Sequence, residues 1–285
     1  MSRNKDRVGG VQNKNVDTPP PSVMKSDSEG FSFVLPTEFV ELPSKGRFYP
    51  EGHPLHGEDS LEIKQMTAKE EDLLTSRTLL KKGVALDRMV QSIIVDKRIN
   101  CDHLLVGDKN AIIIAARVSG YGNEYATKVS CPSCGTNQDY TFDLNSVKVY
   151  CGDEIDVLSI TDNENGTFEV ELPRTKANVT FRLLTGNDEK SIVSATQLER
   201  KNKNPERVVT RQLSNIIVAV NGDDSIEARK YLIDNMPSLD SRHLRASFKL
   251  ASPNIDMTHN FECSECTYEQ LMEVPLTADF FWPDR

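Results

Sequence analysis

The chain has 285 residues, 34 of them Lys or Arg and 43 Asp or Glu, giving a formal charge of −9 and a pI near 5.2. That length fits one large domain or two small ones, and the acidic balance argues against a general nucleic-acid or anionic-membrane binder. Mean hydropathy is −0.46, and no apolar run approaches the roughly 18–20 residues of a membrane span. The first residues hold charges but no apolar secretory core, so the expectation is a soluble protein that stays where it is made.

Residues 1–30 contain no aromatic residue, nine mixed charges and the run Thr18-Pro19-Pro20-Pro21-Ser22, a composition that reads as a flexible arm. An extended lead-in follows at 31–60. Phe31 to Leu35 alternates like a strand, and Leu42-Pro43-Ser44-Lys45-Gly46-Arg47-Phe48-Tyr49-Pro50 reads as a loop dense in breakers. A first folded half is expected over 61–150. It begins with the short strand Leu61-Glu62-Ile63 and continues into Thr67-Ala68-Lys69-Glu70, a capping-box pattern. Leu86, Met89, Val90, Ile93 and Ile94 then form the stripe of a core-facing helix, and a third helix is expected near 109–118. Strand Glu124–Val129 leads to Cys131, and a strand returns over 139–149.

After a linker or hairpin at 151–178, the same order recurs over 179–276. Val179 to Leu184 reads as a strand, and Thr185-Gly186-Asn187-Asp188-Glu189 matches the Thr67 helix start 118 residues earlier. Asn204-Pro205-Glu206 offers capping chemistry for a helix with the stripe Val209, Leu213, Ile216, Ile217 and Val220. Helices near 225–236 and 239–250 are separated by Pro237. A strand at Met257–Phe261 leads to Cys263, and Glu269–Val274 returns. The fold class expected is therefore α+β. Its two halves are internally duplicated as strand, helices, strand, C-x-x-C and strand, and residues 277–285 form an aromatic tail.

Four of the six cysteines form two C-x-x-C pairs, Cys131/Cys134 and Cys263/Cys266. One pair cannot fill a tetrahedral zinc shell, whereas two pairs supply four thiolates. Pro132 and Gly135 suit a tight metal-binding turn; the second knuckle has Thr267 where the first has Gly135. A pseudo-twofold relating the halves would bring the pairs face to face. The competing readings are a redox pair, which prefers a strand leading into a helix N-terminus, and unlinked core cysteines. Both pairs here lie between strands, which favours a structural Zn2+ site worth on the order of 10 kcal/mol. Cys101 and Cys151 read as ordinary thiols.

No phosphate-binding glycine loop, dinucleotide fingerprint, zinc-protease helix or nucleophile elbow is present, so no catalytic residues and no enzyme activity are expected. His53 and His56 lie in a loop rich in Gly and Pro, and His103 beside Cys101 is a neighbour in sequence alone. Asp153, Glu154 and Asp156 read as an acidic loop, and Arg200 to Lys203 as a solvated helix end. Phe280, Phe281 and Trp282 either fold back on the core or anchor a partner. The same alternatives hold for Phe31, Phe33, Phe48 and Tyr49.

Three features in this order carry a resemblance: the 42–49 loop, the Met66-Thr67-Ala68-Lys69-Glu70-Glu71-Asp72 helix start, and Gly120-Tyr121-Gly122 before Cys131-Pro132-Ser133-Cys134. Over 31–150 the chain resembles the baseplate hub assembly proteins of T-even-type tailed phages, and the likeness is weaker over 151–285. The resemblance implies a non-enzymatic role in building or forming the central hub of the baseplate, with other baseplate and hub proteins as partners. It also implies location in the infected cell's cytoplasm during assembly, with or without retention in the virion tail. The alternative is a zinc-ribbon adaptor for nucleic acid or a polymerase, which predicts basic and aromatic residues around the knuckles. The residues present there are Lys128 against Glu262, Glu265 and Glu269, a balance that favours protein partners.

Overall fold

The computed structural model describes residues 35–203, 205, 207–274 and 278–281. The expected arm at 1–30, residues 31–34 of the expected strand Phe31 to Leu35, Asn204, Glu206 and Trp282 lie outside the described residues. The chain opens with an antiparallel hairpin of β1 (Thr37–Glu41) and β2 (Ser60–Lys64). Three helices follow: α1 (Ala68–Thr75), α2 (Arg77–Lys82) and α3 (Ala85–Ile93). α3 buries Met89, Val90 and Ile93, the stripe its sequence periodicity marks out, and Ile94 then bridges Ile63 of β2.

α4 (Val106–Tyr121) is longer than the 109–118 expected from its pattern. It is buried on almost every side, including Ala111 to Ile114, so it shows no amphipathic contrast by which sequence could delimit it. β3 (Glu124–Ser130) and β4 (Asn137–Asp143) form a second hairpin, and the short β5 (Lys148–Tyr150) follows it.

The segment read as linker or hairpin carries β6 (Thr161–Asp162) and β7 (Thr167–Glu171). β7 pairs with β8 (Asn178–Arg182). After α5 (Gly186–Lys201) and α6 (Val208–Ile216), β9 (Ile217–Val220) completes a sheet ordered β6-β7-β8-β9. The apolar stripe through Ile217 and Val220 is therefore helical only to Ile216. Helices α7 (Ile226–Asn235) and α8 (Ser238–Ala251) come next. β10 (Asn254–Asp256) pairs with β5, and β11 (Thr258–Glu262) pairs with β12 (Glu269–Glu273). Phe280 and Phe281 lie in a closing 3-10 turn.

Two local arrangements occur once in each half of the chain. At the start of α1, Glu70 accepts hydrogen bonds from the Thr67 backbone at 3.0 Å and hydroxyl at 2.6 Å, and pairs with Lys64 of β2 at 2.8 Å. At the start of α5, Asp188 accepts from the Thr185 backbone at 2.9 Å and hydroxyl at 2.8 Å, and takes a bidentate contact from Arg182 of β8. Each member of the second set lies 118 residues after its counterpart. Likewise Asp108 in the first turn of α4 accepts from Ser44 N at 3.0 Å, in the β1–β2 connection. Asp240 in the first turn of α8 accepts from Arg174 N at 2.8 Å and Thr175 N at 2.9 Å, in the β7–β8 connection. Both aspartates are fully buried, so these bonds satisfy groups that would otherwise be costly to bury.

The halves are joined where Gly186 N donates to Leu104 O at 2.9 Å and Val106 N donates to Leu184 O at 3.1 Å. Beside this seam the nearly buried Lys109 pairs with both Asp87 and Glu189. A Cβ on Gly186 would stand 2.7 Å from Cys101 O, so glycine is required for this approach. Burial, and then Asp87, push the Cys101 thiol up to about 12, which leaves it inert in the seam.

Burial pushes the Glu70 carboxyl up, but hydrogen bonds from Lys64, Ser92 and Thr67 outweigh it and hold its pKa down to about 2, against an ordinary 4.5. The stability this lends is complete above the unfolded value and is lost as pH falls through the folded one. Glu70→Gln should lower the unfolding free energy at pH 7 by about 1–3 kcal/mol. In urea titrations the gap from the natural chain should close as pH drops from 4.5 towards 2.

Candidate metal centre

β3 and β4 are joined by Cys131-Pro132-Ser133-Cys134-Gly135-Thr136, and β11 and β12 by Cys263-Ser264-Glu265-Cys266-Thr267-Tyr268. Both connections close with the same bonds. In the first, Cys131 N donates to Thr136 O and Gly135 N to Cys131 O, each at 2.9 Å. In the second, Cys263 N donates to Tyr268 O and Thr267 N to Cys263 O, each at 3.0 Å. The hairpins share their register too: Ser130 faces Asn137 and Glu262 faces Glu269, 132 residues apart in both strands. Gly135 and Thr267 both have left-handed φ, +75° and +53°.

The two hairpins pack with their knuckles together. Cys131 Sγ lies 3.7 Å from Cys266 Sγ, and Cys134 Sγ lies 3.7 Å from Cys263 Sγ. All four sulfurs fall within 4.8 Å of one another. Sulfurs about 2.3 Å from a central ion stand about 3.8 Å apart in a tetrahedron, so the spacing matches a four-thiolate site. Cys131 and Cys263 are buried, whereas Cys134 and Cys266 reach the surface. Hydrogen bonds from the Thr136 side chain and backbone bring the Cys134 thiol down to about 6. The Tyr268 backbone also favours the charged form of Cys266, but burial and the neighbouring sulfurs push that thiol up to about 12. Four thiols at this spacing cannot all ionise unless a cation offsets their mutual repulsion.

Beneath the sulfurs lies an aromatic layer. Tyr140 stacks edge-on to Phe142 with ring centres 4.8 Å apart and tilts against Phe261 at 5.6 Å; its hydroxyl donates to Asn260 O at 2.6 Å. Phe142 meets Tyr125 and His259, and Tyr125 meets Phe280 edge-on at 5.0 Å. Arg117 of α4 is wholly buried. It donates to the carbonyls of Phe280, Gly122 and Glu124 at 2.7, 2.6 and 2.9 Å. Burial lowers its pKa, and the ring faces of Tyr121 and Phe280 lie within 6 Å of the guanidinium. Phe280 and Phe281 thus fold back and close the end of the layer opposite the knuckles.

The other sequence candidates go elsewhere. His53 stacks on Tyr49 and accepts from Leu55 N, while His56 Nδ1 lies 2.7 Å from the Tyr49 carbonyl oxygen, so the pair shapes its loop. Tyr49 is buried and donates to Asp108 Oδ2 at 2.7 Å, and Phe48 packs on Phe168. Among the described residues the four cysteines are the group of metal-ligating side chains drawn together; Asp153, Glu154 and Asp156 are not part of such a group. Sequence reasoning missed Arg117 and Tyr140. The signal for Arg117 was the one cation within the apolar run of α4; for Tyr140 there was none.

These features define a class of protein: an α+β chain in which two of the β-hairpins each end in a C-x-x-C knuckle and meet at a four-sulfur cluster. The chain belongs to the T4 bacteriophage base plate protein family, whose model matches residues 36–282. No curated protein and no solved structure matches it. No helix among the described residues is long and apolar enough to cross a membrane.

Phe280→Ala should destabilise the chain by about 3–5 kcal/mol in denaturant unfolding, because it opens a cavity between Tyr125, Phe281 and Arg117.

Proposed function

We propose that the chain is a non-enzymatic phage tail protein that acts in the assembly or the structure of the central baseplate hub, through protein–protein contacts. The match of the family model to residues 36–282 carries this reading. The surroundings of the knuckles support protein partners over the alternative of a nucleic-acid or polymerase adaptor, since Glu262, Glu265 and Glu269 are exposed there. Its place of action is the cytoplasm of the infected host, where the baseplate's other proteins are its partners.

In this reading Cys131, Cys134, Cys263 and Cys266 hold one Zn2+. Thiolate ligation and tetrahedral spacing suit zinc, and a shell filled by four protein ligands leaves no position for water or substrate, so the ion is structural. The 61–150 and 179–276 stretches are descendants of one duplicated unit. Support comes from the paired capping boxes, the paired aspartates Asp108 and Asp240, and the shared hairpin register. In this reading the unit reaches back to β1 and β7, whose hairpins precede the two capped helices.

Two measurements test these statements. Metal analysis of the purified chain should find one zinc per molecule, and Cys131→Ser and Cys263→Ser should lose it to the same extent. Full zinc in either variant refutes the shared centre. Quantitative mass spectrometry of virions and of infected lysate should find the chain in small whole-number copies per tail, or abundant during assembly and absent from particles. The first outcome makes it a built-in hub subunit and the second a transient assembly factor. Absence from both assembly intermediates and particles overturns the hub reading.

A further inference from the structure

The two knuckles are alike in backbone but unequal in chemistry. In the first, the residue after the second cysteine is Gly135 at φ +75°, a conformation that glycine adopts freely. In the second, the equivalent residue is Thr267 at φ +53°. A β-branched side chain is disfavoured there, so the second turn is strained when formed alone. Its hydroxyl bonds back to Cys266 O at 2.8 Å, within the turn itself.

What holds the second turn comes from the first hairpin. Gln138 stands four residues after Cys134, at the start of β4. Its Nε2 donates to Glu262 O at 3.1 Å, and its Oε1 accepts from Ser264 N at 2.9 Å and Ser264 Oγ at 3.1 Å. Two of these bonds grip the backbone immediately before and immediately after Cys263, and the third takes the Ser264 hydroxyl. The amide thus acts as a short strand partner, satisfying one carbonyl and one N–H that flank the ligand. Gln270 is the equivalent residue four positions after Cys266, and it makes no such bond to the first knuckle. The dependence runs one way.

Resting on the four-cysteine metal reading above, we propose that Gln138 is a positioning residue for the metal centre. It holds the strained second knuckle in ligating geometry, so that the glycine-relaxed first knuckle serves as the template on which the second is set. Outer residues that orient metal ligands typically change affinity about 10- to 100-fold when removed, and Gln138 acts on Cys263 in this way through its backbone.

The test uses the full chain, with Co2+ as the probe. Its sulfur charge-transfer and visible bands report ligand number and tetrahedral geometry, and competition with a chelator gives the affinity. Gln138→Leu should weaken binding about tenfold or more and alter the visible bands, while Gln270→Leu, the equivalent change in the other hairpin, should stay within about twofold. Adding Thr267→Gly to Gln138→Leu should recover most of the lost affinity, because it removes the strain that the amide offsets. Gln138→Leu binding like the natural chain, equal losses in both glutamine variants, or no rescue by glycine each overturns the assignment. A natural chain that takes up no metal would remove the centre itself, and this assignment with it; uptake by the natural chain with unchanged Gln138→Leu would remove this assignment alone.

Discussion

The meeting of four sulfurs is the constraint on which the second part of the fold depends: each hairpin contributes two, and the cluster forms only where the two hairpin tips come together. The two cysteine pairs are separated by well over a hundred residues, so no local turn can assemble them. Everything between must deliver two short, independent ribbons to one place. A two-stranded ribbon is marginal on its own in water. Here both are secured at their tips by the cysteine turns and along their length by the Tyr140, Phe142 and Phe261 rings, and the first is closed at its far end by Phe280, Phe281 and Arg117.

The upstream architecture delivers both hairpins to that point. Hairpins β1–β2 and β7–β8 each feed a capped helix, and each has its connection caught by a buried aspartate at the start of a later helix. α4 and α8 lead towards the knuckle hairpins, so the same aspartates tie the beginning of each half to its cysteine-bearing end. The buried Lys109, Asp87 and Glu189 contacts then join the halves. With no ion among its hydrogen-bond partners, Arg117 is held by three carbonyls and two rings, a way to bury a cation in which its donors are satisfied. The loop at 42–59 adds a further tie: Arg47 donates to Cys151 O at 2.7 Å and Phe48 packs on Phe168 of β7.

Much of this was readable in the sequence because it is local. Thr67 and Glu70, or Thr185 and Asp188, lie three residues apart and advertise a helix start; Met89, Val90 and Ile93 repeat at helical spacing; the cysteine pairs and their flanking strands stand out by spacing alone. What escaped is non-local or lacks contrast. Asp108 and Asp240 look like ordinary acids in a first helical turn, and only the fold shows that their partners are 59 to 66 residues away. β1, β7 and β9 are short and lie beside breakers or helix ends, so periodicity had too few residues to act on. Gln138 carries no signal at all, since its role depends on the other hairpin.

The distance along the chain between the knuckles has a temporal side. Synthesis runs at about 5–20 residues per second, so the 132 residues separating Cys131 from Cys263 take about 7 to 26 s to make. For that interval the first dithiol has left the ribosome's catalytic centre while its counterpart does not yet exist. The nascent chain therefore passes through a stage with one C-x-x-C pair alone, its thiols open to soft metals, to oxidants and to neighbouring nascent chains. Completion of the second hairpin ends that exposure.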